Sequence, residues 1–283
     1  MRNADGMVAP REDARALVDL ARRIAAEAGR LLMDRPDVLA LSQKSSPTDI
    51  VTQMDRSAED LLVREILAVR PHDGILGEES GERPGSSGVR WVLDPLDGTT
   101  NYVYGLPFWS VSVGVEVDGA AVAGVVEAPV LRRTYYAVRG DGSWLEESGP
   151  EGAVVSTRLA ASDVDSLSQA LISTGFGYAP ETRLRQAEDL RLIAPRVRDI
   201  RRLGAASLDL AWVAAGNTDA YFESGLKPWD LSAGQLIAQE AGALVTGLKG
   251  HHAGEEMTIA VAPGIASEFA ALIERATGIS PGA

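Results

Sequence analysis

The sequence predicts an α/β protein built in packed layers, and three observations carry that reading. A long amphipathic helix opens the chain over 11–33. Its apolar positions Ala14, Leu17, Val18, Leu20, Ala21, Ile24, Ala25, Ala28, Leu31 and Leu32 recur at helical spacing. Period-two alternation at Trp109, Val111, Val113, Val115 and Val117 marks a strand of an antiparallel meander. In the second half, strands alternate with helices, which is the pattern of an α/β layer arrangement.

Taken in order, residues 1–10 read as a disordered tail, with Met7 an alternative start. Residues 43–49 form a polar loop, in which Lys44 reads as a solvated lysine. Residues 50–52 lead to a helix whose face is Ala58, Leu61, Leu62, Ile66 and Leu67. Asp55 stands at its start, as a cap or as a site carboxylate. Residues 73–80 read as a short strand ending in Glu78 and Glu79, and 81–88 as a flexible Gly/Ser/Pro loop. Trp91 to Leu93 is a short buried strand. The meander occupies 107–118, 121–128 and 134–138, with turns at Gly119 and at Gly140-Asp141-Gly142; Trp109 and Trp144 read as core or interface residues. Strands follow at 170–174, 199–202, 220–222, 243–246 and 258–261, and helices at 181–192, 205–215, 229–241 and 267–276. The change of pattern near 145–165 marks a boundary between subdomains, about 11–150 and 151–283, within a single domain. There is no internal repeat and no low-complexity linker.

Composition narrows the function. The chain has 283 residues, 45% hydrophobic and 24% charged, which is ordinary for a globular protein with a sizeable core. Forty acidic residues against 27 basic ones give a net charge of −13, which argues against a nucleic-acid surface. The absence of cysteine excludes disulfides, thiolate zinc sites and cysteine nucleophiles. No apolar run has membrane-spanning length, and the first ten residues lack the core of a signal peptide. A cytoplasmic protein with no membrane partner is the expectation.

The chemistry concentrates in Trp91-Val92-Leu93-Asp94-Pro95-Leu96-Asp97-Gly98-Thr99-Thr100-Asn101. Pro95 biases Asp94 away from helix and stiffens the turn. Asp97 lies three residues on, so one tight turn aims both carboxylates into one space. Gly98 permits special backbone angles and close approach. A helical turn starting at Thr99 would offer free N–H groups to an anion. Cation ligands thus stand beside an anion cradle, as a metal-dependent phosphate enzyme needs. The plain alternative is a strand-to-turn connection, for which Asp, Pro and Gly are common residues. Further along, Glu223 follows the aromatic strand end Tyr221-Phe222. Asp230 either caps the helix that Trp229 opens or joins the two earlier aspartates. Gly204-Ala205-Ala206 is a small-residue helix start that lets a substrate approach the backbone.

These residues carry a family. Gly77-Glu78-Glu79-Ser80, the stretch 91–101, Lys227-Pro228-Trp229-Asp230-Leu231-Ser232-Ala233-Gly234, and Lys44-Ser45-Ser46-Pro47-Thr48-Asp49 with Asp55 together resemble the inositol monophosphatase family, its actinobacterial members above all. The resemblance runs from the first helix to the last, and several spaced motifs in order are far more specific than any one. It implies a layered α-β-α-β-α sandwich and Mg²⁺-dependent, Li⁺-sensitive hydrolysis of phosphate monoesters by a homodimer. Carried over, Glu78, Asp94 and the Leu96 carbonyl hold a first Mg²⁺; Asp94, Asp97 and Asp230 hold a second; and Glu78 with waters holds a third. Thr99 paired with Asp55 orients and deprotonates the attacking water. The Gly98 and Thr99 N–H groups hold the phosphate, and Asp97, Ala206, Glu223 and Asp230 meet the inositol hydroxyls. Ala205 departs from the family, which often has Thr there, and this puts contacts at the sugar edge in doubt.

The implied chemistry is coherent. Mg²⁺ prefers hard oxygen ligands, which an Asp/Glu/carbonyl set supplies. Two ions roughly 3.5–4 Å apart activate a water and neutralise a leaving alkoxide, so no histidine base is required. His72, His251 and His252 lie outside every motif and read as surface residues. The leading reading is therefore hydrolysis of inositol 1-phosphate. The alternatives are the same chemistry on histidinol phosphate, fructose 1,6-bisphosphate or a phosphoadenosine nucleotide, and a non-enzymatic binding role. The loops near 175–190 and 204–206 decide the substrate. A protein that had given up catalysis should have lost Glu78, Asp94, Asp97, Thr99 or Asp230, and all five are present.

Overall fold

The computed structural model describes residues 11–43, 50–149 and 152–278. The expected tail at 1–10 and the Lys44–Asp49 motif lie outside the described residues. The N-terminal part runs α1 (Arg11–Met33), β1 (Leu41–Gln43), β2 (Ile50–Thr52), α2 (Gln53–Val69), β3 (Gly74–Gly77), β4 (Gly81–Arg83), β5 (Val89–Asp97), α3 (Thr99–Val103), β6 (Ser110–Val117), β7 (Ala120–Ala128), β8 (Arg133–Val138), β9 (Gly142–Ser148) and β10 (Val154–Arg158). The remainder runs β11 (Leu171–Thr174), α4 (Pro180–Ile193), β12 (Asp199–Arg201), α5 (Ala206–Ala214), β13 (Ala220–Glu223), α6 (Pro228–Glu240), β14 (Leu244–Thr246), β15 (Thr258–Val261) and α7 (Ala266–Ala276).

The period-two pattern of the meander sorts its side chains to two faces. Val111, Val113 and Val115 of β6, with Trp91 and Leu93 of β5, pack under α1 and α2. Val126 and Ala128 of β7 face the other way, onto α5 and α6. A third core lies between the second sheet and its outer helix, where Ile172, Phe222 and Ile259 meet Phe269 and Ile273. The layers therefore stack as α-β-α-β-α. The first sheet has the order β10-β9-β8-β7-β6-β5-β3-β4, and the second β12-β11-β13-β15-β14. The second is mixed: β11 pairs in parallel with β12 and β13, whereas β15 is antiparallel to both its neighbours.

Small residues let the middle layer close on the first sheet. A Cβ at Gly114 would lie 2.2 Å from Ser232 Oγ, and one at Gly124 would lie 2.9 Å from the Ala233 backbone. The start of α6 therefore rests almost directly on β6 and β7. This brings Asp230, one turn into α6, over the C-terminal end of β5.

Asp73 anchors the approach to that sheet. Its buried carboxylate accepts from Trp91 Nε1 at 2.9 Å, from Ser87 at 2.6 Å and from Arg70. Burial pushes its pKa up, but these donors outweigh burial and hold it below the usual carboxylate range.

Several expected elements differ in extent. The strand at 91–93 is nine residues long, because Pro95 sits at an irregularity rather than ending the pairing. Residues 81–88 are not wholly loop, since β4 forms a hairpin with β3. The first sheet continues past the expected subdomain boundary through the β9–β10 hairpin. Among the described residues, no helix is long and apolar enough to cross a membrane.

Candidate active site

The site is built on the end of β5. Pairing with β6 is regular to Asp94↔Ser112, then shifts before Asp97↔Ser110. Pro95, which has no N–H to donate, occupies the break, as prolines within sheets do. The irregularity falls between Asp94 and Asp97 at the C-terminal end of β5, and both carboxylates are buried. Asp94 Oδ1 accepts from the Leu96 N–H at 3.0 Å, closing the turn. Gly98 follows with φ 91°, a left-handed conformation that disfavours a side chain. A Cβ there would also lie 3.0 Å from the Phe108 carbonyl and 3.2 Å from the Gly204 carbonyl.

Thr99 opens α3 and points at α2. Its hydroxyl lies 2.9 Å from Asp55 Oδ1 and 3.1 Å from the Leu96 carbonyl. Asp55, fully buried, is the third residue of α2 and not its cap. Thr52 is the N-cap, and Asp55 Oδ2 accepts from its N–H at 2.8 Å and its hydroxyl at 2.6 Å. Asp55 is thus not the N-cap but the reciprocal member of the Thr52 capping box, and its second oxygen faces Thr99.

A carboxylate that the sequence did not reveal holds the turn just after Glu78. Glu59, one turn beyond Asp55 on α2, accepts from the Glu79 N–H at 3.0 Å and the Ser80 N–H at 2.6 Å. A Cβ at Gly77 would fall 2.6 Å from the Glu59 carboxylate, so the turn after β3 is wrapped around it. The only hint in the sequence was an acid in the apolar stripe of Ala58, Leu62 and Ile66.

The second half closes the site from above. Asp97 caps α5 across the chain, accepting from the Ala206 N–H at 3.2 Å and from the Ser207 N–H and hydroxyl at 2.7 and 2.6 Å. Asp230 is the third residue of α6 and accepts from the Lys227 N–H at 2.6 Å. Asn101 Nδ2 donates to the Leu203 carbonyl at 2.8 Å and ties the Gly204 turn to α3. A cleft of about 390 Å³ results, lined by Glu78, Asp97, Gly98, Ala206, Glu223 and Asp230, all candidates from the sequence. Arg202 also lines it without any pointer in the sequence; Trp229 of the family-like motif and Phe176 and Tyr178 of the 175–190 loop line it too.

The four acids act on one another. Burial first, then the charges of Glu78, Asp97 and Asp230, push the Asp94 pKa well above its usual value. Asp230 is likewise raised, by burial and then by Asp97, with Glu78 and Glu223 adding. Burial raises Asp97 against the opposing bonds from Ser207 and Ala206. Glu223 is pushed up to about 7, chiefly by burial, with Tyr221 and Arg202 opposing. Among the described residues, no three acidic or histidine side chains are grouped tightly enough to hold an ion as they stand. Asp55, Asp97 and Asp230 are instead turned onto donors of their own chain, and Asp94 onto the Leu96 N–H. The donor set nevertheless fits a hard divalent cation: every group is oxygen, and the mutual repulsion is what such a charge reverses. The three histidines are exposed and take no part.

The geometry has close counterparts. The chain is 43% identical to the inositol-1-monophosphatase of Mycobacterium bovis, over 97% of this chain and 99% of the relative. It is 38% identical to the protein named Nus factor SuhB of Pasteurella multocida, over 89% and 94%. The solved structure of Mycobacterium tuberculosis SuhB superposes with a TM-score of 0.79 at 42% identity, covering 94% of this chain and 99% of that one. The inositol monophosphatase family matches residues 12–278. A match to the family over nearly the whole chain, with 43% identity to a mycobacterial member, shows that the chain belongs to the inositol monophosphatase family.

Proposed function

We propose that this protein hydrolyses inositol 1-phosphate to inositol and phosphate, with Mg²⁺ as its cofactor. The observation that carries the reading is the meeting of Glu78, Asp94, Asp97 and Asp230 beside the Thr99–Asp55 pair at one cleft. Glu78, Asp94 and the Leu96 carbonyl would hold a first ion, Asp94, Asp97 and Asp230 a second, and Glu78 with waters a third, weaker one. Bound there, Mg²⁺ supplies a Lewis acid that lowers the pKa of water and offsets charge on the phosphoryl and leaving oxygens. The Thr99 hydroxyl takes a proton from the attacking water as it gives its own to Asp55 Oδ1, so the water attacks as hydroxide while the ester P–O bond breaks and the alcohol leaves. The Gly98 and Thr99 N–H groups hold the phosphoryl oxygens. Glu223, Ala206, Asp97 and Asp230 meet the hydroxyls of the departing alcohol. The name carried by the mycobacterial relative at 43% identity supports this substrate.

The test is kcat/KM over a panel of inositol 1-phosphate, histidinol phosphate, fructose 1,6-bisphosphate and a 3′-phosphoadenosine nucleotide, each with Mg²⁺ and with EDTA. Inositol 1-phosphate is expected to rank first, EDTA to abolish turnover, and millimolar LiCl to inhibit it. Turnover that persists in EDTA overturns the metal assignment, and a different leader overturns the substrate. We further propose a homodimer joined through the meander sheet, whose edge strand β10 leaves Val154 and Val155 more than half exposed. Light scattering is expected to give twice the chain mass of 29.9 kDa, and a monomeric mass would refute it.

A further inference from the structure

We propose that Tyr221 and Gly175 are positioning residues: together they fix the Glu223 carboxylate in the cleft wall as the acceptor that selects a polyhydroxylated leaving group. The proposal rests on the phosphatase reading above and adds the means by which that wall is held. Tyr221 and Glu223 lie two residues apart on β13, so their side chains leave the same face of the strand. The Tyr221 hydroxyl donates to Glu223 Oε2 at 2.6 Å. Tyr221 is fully buried, and burial, with the charges of Glu223 and Asp209 adding, pushes its pKa far up. The hydroxyl thus stays a donor at any working pH, and Glu223 is the acceptor it serves.

Gly175 sets the other side. It follows β11, which pairs with β13 through Thr174↔Phe222. A Cβ at Gly175 would lie 1.8 Å from Glu223 Oε2 and 2.2 Å from Oε1, so the carboxylate lies flat on a bare Cα. Any L side chain at 175 displaces it. The competing partner is Arg202, which lines the same cleft and attracts Glu223 electrostatically. Without the Tyr221 bond, Glu223 is free to turn onto Arg202, and a hydroxyl of the leaving group loses its acceptor.

The experiment compares inositol 1-phosphate with cyclohexyl phosphate, the same ring without hydroxyls, in Mg²⁺. Y221F is expected to raise KM for inositol 1-phosphate about tenfold with kcat within about twofold, the scale of one misplaced hydrogen bond. The selectivity ratio over cyclohexyl phosphate should fall by the same factor. Gly175→Ala should give the same selective loss with Tyr221 intact. Glu223→Gln should lower the ratio, and adding Y221F to it should lower it no further, because Tyr221 acts through Glu223. A ratio unmoved by Y221F, an equal loss on both esters, or additive losses in the double variant each overturn the proposal. Wild-type protein that turns over neither ester sinks the inositol 1-phosphate reading, and this proposal with it.

Discussion

Replacing Asp94 by Asn is expected to reduce kcat on inositol 1-phosphate by on the order of 10³-fold, roughly 4 kcal/mol of barrier. In the proposed assignment Asp94 is the carboxylate common to both principal ion positions, and it is 2% exposed. No other residue replaces it, because Glu78, Asp97 and Asp230 already have assigned places around it. The substitution is also close to isosteric. An amide oxygen still accepts from the Leu96 N–H, which in the native chain bonds Asp94 Oδ1 at 3.0 Å, so the Pro95 turn is kept. Removing the charge relieves repulsion from Glu78, Asp97 and Asp230. Without divalent cation, D94N should therefore melt no lower than wild type, while losing the stabilisation by Mg²⁺. This pairing separates a ligand role from a folding role. Turnover within about tenfold of wild type would contradict the assignment, as a transition-state interaction of this size is not replaced by a neutral amide.

Periodicity made the frame of the molecule legible. The stripe of α1 and the valines of β6 each bury one face, and burial of one face is what leaves a pattern in a sequence. The strand β10 left none, since all five of its residues are exposed at the edge of the sheet, where it pairs with β9. β4 escaped for the same reason, its Gly81, Glu82 and Arg83 being exposed in a hairpin with β3. In the site, Asp94, Asp97 and Gly98 were readable because turn chemistry is local. The bond from Thr99 to Asp55 spans 44 residues, and only the resemblance to a family supplied it. Glu59 stood among the polar residues of the first turns of α2, and Tyr221 read only as part of an aromatic strand end. Their roles follow from which loop lies against them, and that is a property of the packed layers. Arg202 and Phe176 sit in loops whose course is fixed by the strands either side, so no spacing rule reaches them.

Mg²⁺ is expected to raise the melting temperature more as the pH rises, by about 5–10 °C at pH 8 and by little near pH 5. The sign follows from the acids of the cleft. Asp94, Asp97 and Asp230 are all raised above the usual carboxylate range, and Glu223 is raised to about 7. The folded chain therefore binds these protons more tightly than the unfolded chain does. Its stability from these groups is full below the unfolded pKa, about 4 to 4.5, and declines as the pH climbs through the folded values. Glu223 alone accounts for on the order of 3 kcal/mol of that decline by pH 8. A divalent cation binds the deprotonated acids only, so it competes with the protons and offsets the loss where the protons are gone. At a concentration about a hundredfold above its dissociation constant, the gain is roughly 2.7 kcal/mol. Other groups, such as Asp73 with its lowered pKa, change stability with pH in the opposite sense. They are common to both arms and cancel in the difference with and without Mg²⁺. Differential scanning fluorimetry between pH 5 and 8.5, with Mg²⁺ against EDTA and Na⁺ at matched ionic strength, reads that difference directly. A shift that is absent, or equal at both ends of the range, would mean that the carboxylates at the end of β5 are not where the cation binds.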